Sequence, residues 1–280
     1  MSAVEPRIYA YGIVRSGGAD DPGSMAPTCG VSGSAVRMLV RDGLAALISD
    51  LPSQGSTAID DVGHDPDRIK SMVLDHHRVL QSLVAGRTVL PLRFGAVFCD
   101  DDGVAAALAK HREALWQALE RVEGAREWGV KIFCDHEVLR PYLKLDSDAV
   151  RRAHEQTVTA SEGRAFFLRR QLQRLVDEEI RQAIVRCIAE SRQLLSAVAR
   201  ADTTLTVQPR SIHRHAGEMV WNGAYLITRD GENGFFRVVD ALRDAYRRSG
   251  FAYEPNGPWA PCSFANCRLG APADAPSHGT

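Results

Sequence analysis

Several large protein classes are excluded by what this chain lacks. No run of about 18 apolar residues occurs, the length a helix needs to cross a hydrocarbon core, so neither a membrane span nor a lipid partner is expected. Met1–Arg7 holds no apolar signal core, so a cytoplasmic location is expected rather than export. No charge of one sign dominates: 34 basic and 35 acidic residues leave a net charge of −1. A surface built to hold a phosphate backbone carries a basic excess, so nucleic acid is not expected as a partner. Cys29, Cys99, Cys134, Cys187, Cys262 and Cys267 form no CxxC pair and no zinc spacing. They read as free thiols of a reducing compartment, with a Cys262–Cys267 bridge as the alternative. No GxGxxG, Walker loop or GxSxG elbow is present, so no catalytic residue is assigned and no cofactor is expected.

What is present is the composition of a globular protein. The 280 residues are 45% hydrophobic and 25% charged, enough for two domains of ordinary size. Ile8–Val14 alternates as a strand, with Tyr9, Tyr11 and Ile13 on one side. Ser16–Ser34 is rich in Gly, Pro and Ser and reads as a loop. Val36–Val40 and Leu44–Ile48 flank Asp42-Gly43, a pair that accepts the positive φ of a tight hairpin turn. Asp65-Pro66 opens a helix, because Asp caps free amides and Pro suits the first helical position. Ile69, Met72, Val73, His76, Leu80 and Leu83 form its apolar stripe. A short strand at Thr88–Leu92, one helix over Gly103–Val122 and a strand over Trp128–Cys134 follow.

The character changes after Arg140-Pro141. A polar helix over Asp146–Thr159 precedes a long helical stretch, Glu162–Arg200. Strands at Thr203–Gln208 and Glu218–Thr228, a helix at Glu232–Arg247 and a strand at Phe251–Glu254 complete the order. The expected class is α+β: two domains, each a modified ferredoxin-like α/β sandwich, with a long helix opening the second and an extended C-terminal tail. The boundaries read as 1–140, 141–256 and a tail over 257–280.

The histidines do not make a metal site. His76 and His77 are neighbours on a helix, about 100° apart, and cannot share one ligand face. His76 falls on the apolar stripe, where a satisfied core histidine is the expected role. His213 and His215 offer two ligands without a third. The acidic runs Asp60-Asp61 and Asp100-Asp101-Asp102 precede helices, where the dipole favours negative charge.

Thr88–Phe98 is the densest apolar block, with Pro91 restricted to an edge or strand end because it cannot donate to a ladder. Arg93 interrupts it. A cation within an apolar block is expected to be paired, pinning the strand to a loop, or else to reach a surface for a partner.

At these residues the chain resembles the GvpL/GvpF family of gas vesicle proteins. Four ordered blocks carry the resemblance: Ile8–Val14; Val89–Gly95 with Val97-Phe98; Glu127–Lys131; and Gly257–Phe264. Ala260 and Cys262 stand where the family more often has Pro and Tyr. Ser161–Leu168 stands where it often has a Pro-Gly and Tyr-Leu motif. The resemblance implies a non-enzymatic accessory protein of gas vesicle formation, binding the small hydrophobic shell protein GvpA and other accessory vesicle proteins. Arg93, Phe94, Trp259 and Phe264 are the candidate partner-binding residues, with the alternative that Trp259 and Phe264 clamp the tail to its own domain. Two other readings stand beside it: a ferredoxin-like small-molecule-binding or catalytic protein, and an RNA binder using Tyr9 and Tyr11 on an open sheet.

Overall fold

The computed structural model describes residues 7–17, 29–51, 65–213, 215–265 and 269. It is a mixed α/β structure with two sheets, and the chain divides into two compact units: 1–127 with 258–280, and 128–257. The described residues after Gly257 group with the first of these units.

The first sheet contains β1 (Arg7–Arg15), β2 (Arg37–Arg41), β3 (Leu44–Leu51), β4 (Leu90–Pro91) and β5 (Val97–Phe98). Its order is β2-β3-β1-β4, with β5 also pairing β1. β1 is buried along nearly its whole length, so it is covered on both faces, not on the single face implied by alternation. Tyr9 and Tyr11 are fully buried and offer no platform for stacked bases. The β2–β3 hairpin turns at Asp42-Gly43, with φ of 50° and 82° at the two positions. Those positive values require the residue types found there. Pro91 pairs opposite Gly12 in the two-residue edge strand β4. Val31, read as loop, inserts into the core, and its amide donates to the Tyr11 hydroxyl at 2.7 Å.

Helix α1 (Pro66–Val84) starts as its sequence requires: the Asp65 carboxylate accepts from the amides of Asp67 and Arg68. Its stripe buries Met72, His76, Val79, Leu80, Leu83 and Val84. The single helix expected over 103–122 is instead α2 (Asp101–Lys110) followed by α3 (Arg112–Val122). The break is His111, whose φ of −106° and ψ of 14° leave the helical region. Asp100 caps α2, accepting from Gly103 N at 2.7 Å.

β6 (Ala125–Cys134), read as closing the first domain, pairs in the second sheet. That sheet runs β7-β8-β6-β9, with β7 (Ala201–Thr204), β8 (Glu218–Thr228) and β9 (Phe251–Trp259). Arg140-Pro141, after which the sequence changes character, lies within helix α4 (His136–Asp146), which buries Leu139 and Leu143. Helices α5 (Asp148–Val158), α6 (Glu162–Ala197) and α7 (Glu232–Tyr246) complete the second unit. Val176, Ile180, Cys187 and Leu195 of α6 share one core with Tyr225, Ile227, Phe235, Val239 and Phe251. Tyr253 completes a buried network there, its hydroxyl 2.7 Å from Ser191 Oγ and 3.2 Å from Cys187 Sγ. Cys29, Cys99, Cys134, Cys187 and Cys262 are free thiols, and Cys267 lies outside the described residues.

Candidate functional site

The family-like blocks Ile8–Val14 and Val89–Phe98 meet in the first sheet. β4 and β5 both pair with β1, and the turn between them is bonded to it: Leu92 N donates to Tyr11 O at 2.9 Å, and Ala10 N to Ala96 O at 2.9 Å. Gly95 adopts a φ of 86°, which turns the chain back and brings its amide to the Tyr9 hydroxyl at 3.2 Å. That hydroxyl lies 2.9 Å from His76 Nδ1. His76 donates to the Leu92 backbone from one ring nitrogen, so the neutral ring accepts the Tyr9 hydroxyl proton at Nδ1, while the Tyr9 oxygen accepts from Gly95.

His76 is thus a satisfied core histidine. Burial first, then the neighbouring charge of His77, lowers its pKa to about 4, against the Leu92 hydrogen bond that raises it. Burial likewise pushes Tyr9 upward, so both groups are neutral in the physiological range. The Tyr11 ring lies 5.6 Å from His76, and the Phe94 ring covers the same histidine at 6.0 Å with an edge-on angle of 80°.

Above this neutral cluster lies a cleft of about 210 Å³ lined by His76, His77, Pro91, Leu92, Arg93, Phe94, Cys262 and Ala265. Arg93 is exposed in the turn, and among the described residues its side chain forms no ion pair. The pairing expected of a cation in a buried strand is therefore absent, because the strand ends at Pro91 and Arg93 lies beyond it. Phe94 is 41% exposed despite its aromatic contacts. The cleft accordingly offers an aromatic edge, a guanidinium and the exposed imidazole of His77.

The buried imidazole has both ring nitrogens engaged. Cys262 is exposed, and the burial its thiol does have, followed by the charge of Glu127, shifts its pKa upward, opposite to the shift of an activated thiol. Among the described residues no group of three His, Cys, Asp or Glu side chains is placed to hold a metal ion.

The C-terminal block reaches the same unit. Ala260 and Pro261 are buried, and Ala260 belongs to the core around Tyr9 and Tyr11. The Glu127 carboxylate accepts from Ser263 N at 2.8 Å and Ser263 Oγ at 2.7 Å. Gln81 of α1 donates to Pro258 O at 2.7 Å. Trp259 is 44% exposed, whereas Ala260 and Pro261 are buried and Ser263 is bonded to Glu127. Phe264 is half-buried and lies outside the cleft lining. Of the candidate residues, the structure brings Arg93 and Phe94 together and does not join Trp259 or Phe264 to them. Glu127 is not among the residues the sequence singles out: its strand also carries Arg126 and Lys131, and only the fold shows Glu127 to be buried.

A larger concavity of about 910 Å³ lies in the second unit, lined by residues that include His136, Arg210, His213 and Glu218. His136 Nε2 and Glu218 are 3.2 Å apart, and His213 and His215 both lie against Phe133, with ring centroids at 5.0 and 4.2 Å.

Two sheets flanked by helices, with a small aromatic and basic cleft, define a mixed α/β protein whose signature residues build an accessible surface. Its sequence matches the family model for gas vesicle synthesis protein GvpL/GvpF over residues 7–266, and the chain belongs to that family. It is 30% identical to gas vesicle protein F of a Streptomyces strain over 256 residues, covering 91% of this chain and 98% of the relative. It is 29% identical to gas vesicle protein L of the same strain, covering 84% and 85%. The fold is similar to the crystal structure of GvpF from Anabaena sp., with a TM-score of 0.69 at 20% identity, covering 94% of this chain and 99% of the other. It is also similar to GvpF from Microcystis aeruginosa, with a TM-score of 0.63 at 20% identity, covering 93% and 99%. No helix among the described residues is long and apolar enough to cross a membrane.

Proposed function

We propose that this protein is a non-enzymatic accessory factor of gas vesicle formation, in the cytoplasm and at the vesicle, that binds the small hydrophobic shell protein GvpA and other vesicle proteins. Arg93 and Phe94 carry the contact in this reading, with Trp259 and Phe264 as further contact residues. Each unit is read as a modified ferredoxin-like fold. The observation that supports the reading is the exposure of Phe94 beside Arg93, above a His76–Tyr9 pair with no free proton donor or acceptor. An exposed aromatic next to a cation suits protein contact, and a shell subunit with large apolar surfaces needs an escort before assembly.

The test is co-purification of the full chain with the shell protein. Wild type is expected to retain it, whereas a Phe94→Ala, Arg93→Glu variant loses about tenfold or more in affinity while staying folded, with a stability loss of about 1 kcal/mol for a ring that is 41% exposed. No retention by wild type rejects the function. Equal retention by the variant rejects the surface. A thermal-shift screen against metals and nucleotides separates the small-molecule alternative, because a ligand raises the midpoint by mass action; no shift is expected.

A further inference from the structure

A separate feature lies in the second unit. Helices α5 and α6 are joined by Thr159–Ser161 and pack side by side. Near the junction Val158, Phe166 and Phe167 are 72%, 57% and 73% exposed, while Ala165 next to the phenylalanines is buried. The two phenylalanine rings lie 5.8 Å apart, edge to face. Apolar side chains gain free energy on leaving water, and the exposed part of these keeps that gain available to an incoming surface.

Between the helices runs a groove of about 310 Å³ lined by Leu168, Leu172 and Leu175 together with Gln156, Gln171 and Arg174. The leucines recur at i, i+4 and i+7, so they form one stripe along α6. The surrounding charge is mainly basic. Residues 150–174 carry six arginines against two glutamates, in a chain whose net charge is −1. Arg151 is engaged by Asp148 in its own helix. Arg164, Arg169, Arg170 and Arg174 form no ion pair with another described residue.

We propose that the α5–α6 groove docks an amphipathic helix of a partner protein, one whose apolar stripe is flanked by carboxylates. Charge complementarity selects this occupant. A second copy would oppose one arginine-rich face to another. A lipid surface would meet the phenylalanines but leave the concave leucine stripe unfilled, whereas the ridge of a helix fits between two helices. Glu162 to Leu175 spans about four turns, which sets the length of helix the groove accommodates. This surface does not rest on the Arg93–Phe94 reading.

The experiment titrates the full chain into two labelled synthetic helical peptides, read by fluorescence anisotropy. Both carry a leucine stripe; one has glutamate flanks and the other lysine flanks. The glutamate peptide is expected to bind, more weakly as salt is raised, and the lysine peptide is not. Phe167→Ala and the pair Arg170→Glu, Arg174→Glu should each lower the affinity about tenfold or more. Val185→Ala, also exposed on α6 but outside the groove, should leave it unchanged. All these side chains are exposed, so the variants should keep the wild-type unfolding midpoint; Phe166→Ala replaces any that does not. Equal binding of the two peptides, no binding of the glutamate peptide, or unchanged affinity in the variants overturns the proposal. So does binding to phosphatidylglycerol vesicles through the same residues in preference to the peptide. Dimerisation in sedimentation runs that Phe167→Ala abolishes would assign the face to a second copy and also overturn it.

Discussion

Glu127 accepts both hydrogen bonds that Ser263 can donate, the amide at 2.8 Å to one carboxylate oxygen and the hydroxyl at 2.7 Å to the other. The partners are 136 residues apart in sequence, and each sits in a block that marks the family. Glu127 is 7% exposed, and its pKa is raised by burial, opposed by the two Ser263 bonds. The carboxylate is therefore held at a cost that Ser263 reduces.

Ser263→Ala removes one of the two bonds and leaves the carboxylate less well solvated. It should destabilise the chain by about 1–3 kcal/mol in urea unfolding, the range for a hydrogen bond to a charged group. Glu127→Gln removes the buried charge with the bond and should cost less than Ser263→Ala. A serine variant with wild-type stability would show that the tail is held by Ala260 and Pro261 alone.

His76 gives the fold a pH dependence with a definite sign. Its pKa is 6.5 in the unfolded chain and about 4 when folded. Between those values the unfolded chain binds a proton that the folded chain does not. The contribution is therefore fully present above about pH 6.5 and is lost as pH falls towards 4. It should amount to about 2 kcal/mol between pH 7 and pH 5. In His76→Gln, which keeps an acceptor for Tyr9, that part of the pH profile should disappear. Profiles that run parallel from pH 7 to pH 5 would contradict the neutral, buried imidazole.

Trp259→Ala tests which part of the tail is anchored. A fully buried tryptophan costs about 3–5 kcal/mol when truncated. With 44% of Trp259 exposed, the loss should be nearer 1 kcal/mol. Ala260→Asp, which places a charge in the core beside Tyr9 and Tyr11, should cost more than the tryptophan truncation. The order of the two unfolding midpoints decides the point.

The sequence by itself determined the features that one or two residues settle locally. Asp42-Gly43 takes positive φ at both positions and so makes the hairpin turn. Asp65-Pro66 starts α1 because one side chain caps two amides and the next residue needs no hydrogen-bond donor. The four ordered blocks were legible as the mark of the family, and His76 as a core histidine from its place on the stripe. Tertiary structure alone decided what depends on which strand lies beside which. β6 alternates like any strand, and only its pairing places it in the second sheet. Arg93 follows an apolar run, and only the length of β4 leaves it in an exposed turn. Trp259 and Ala260 are neighbours along the chain, yet the alanine is buried and the tryptophan is not. Backbone dihedrals and helical period are local quantities that a short segment sets for itself. Burial is set by partners far away in sequence, as Glu127 and Ser263 are to one another.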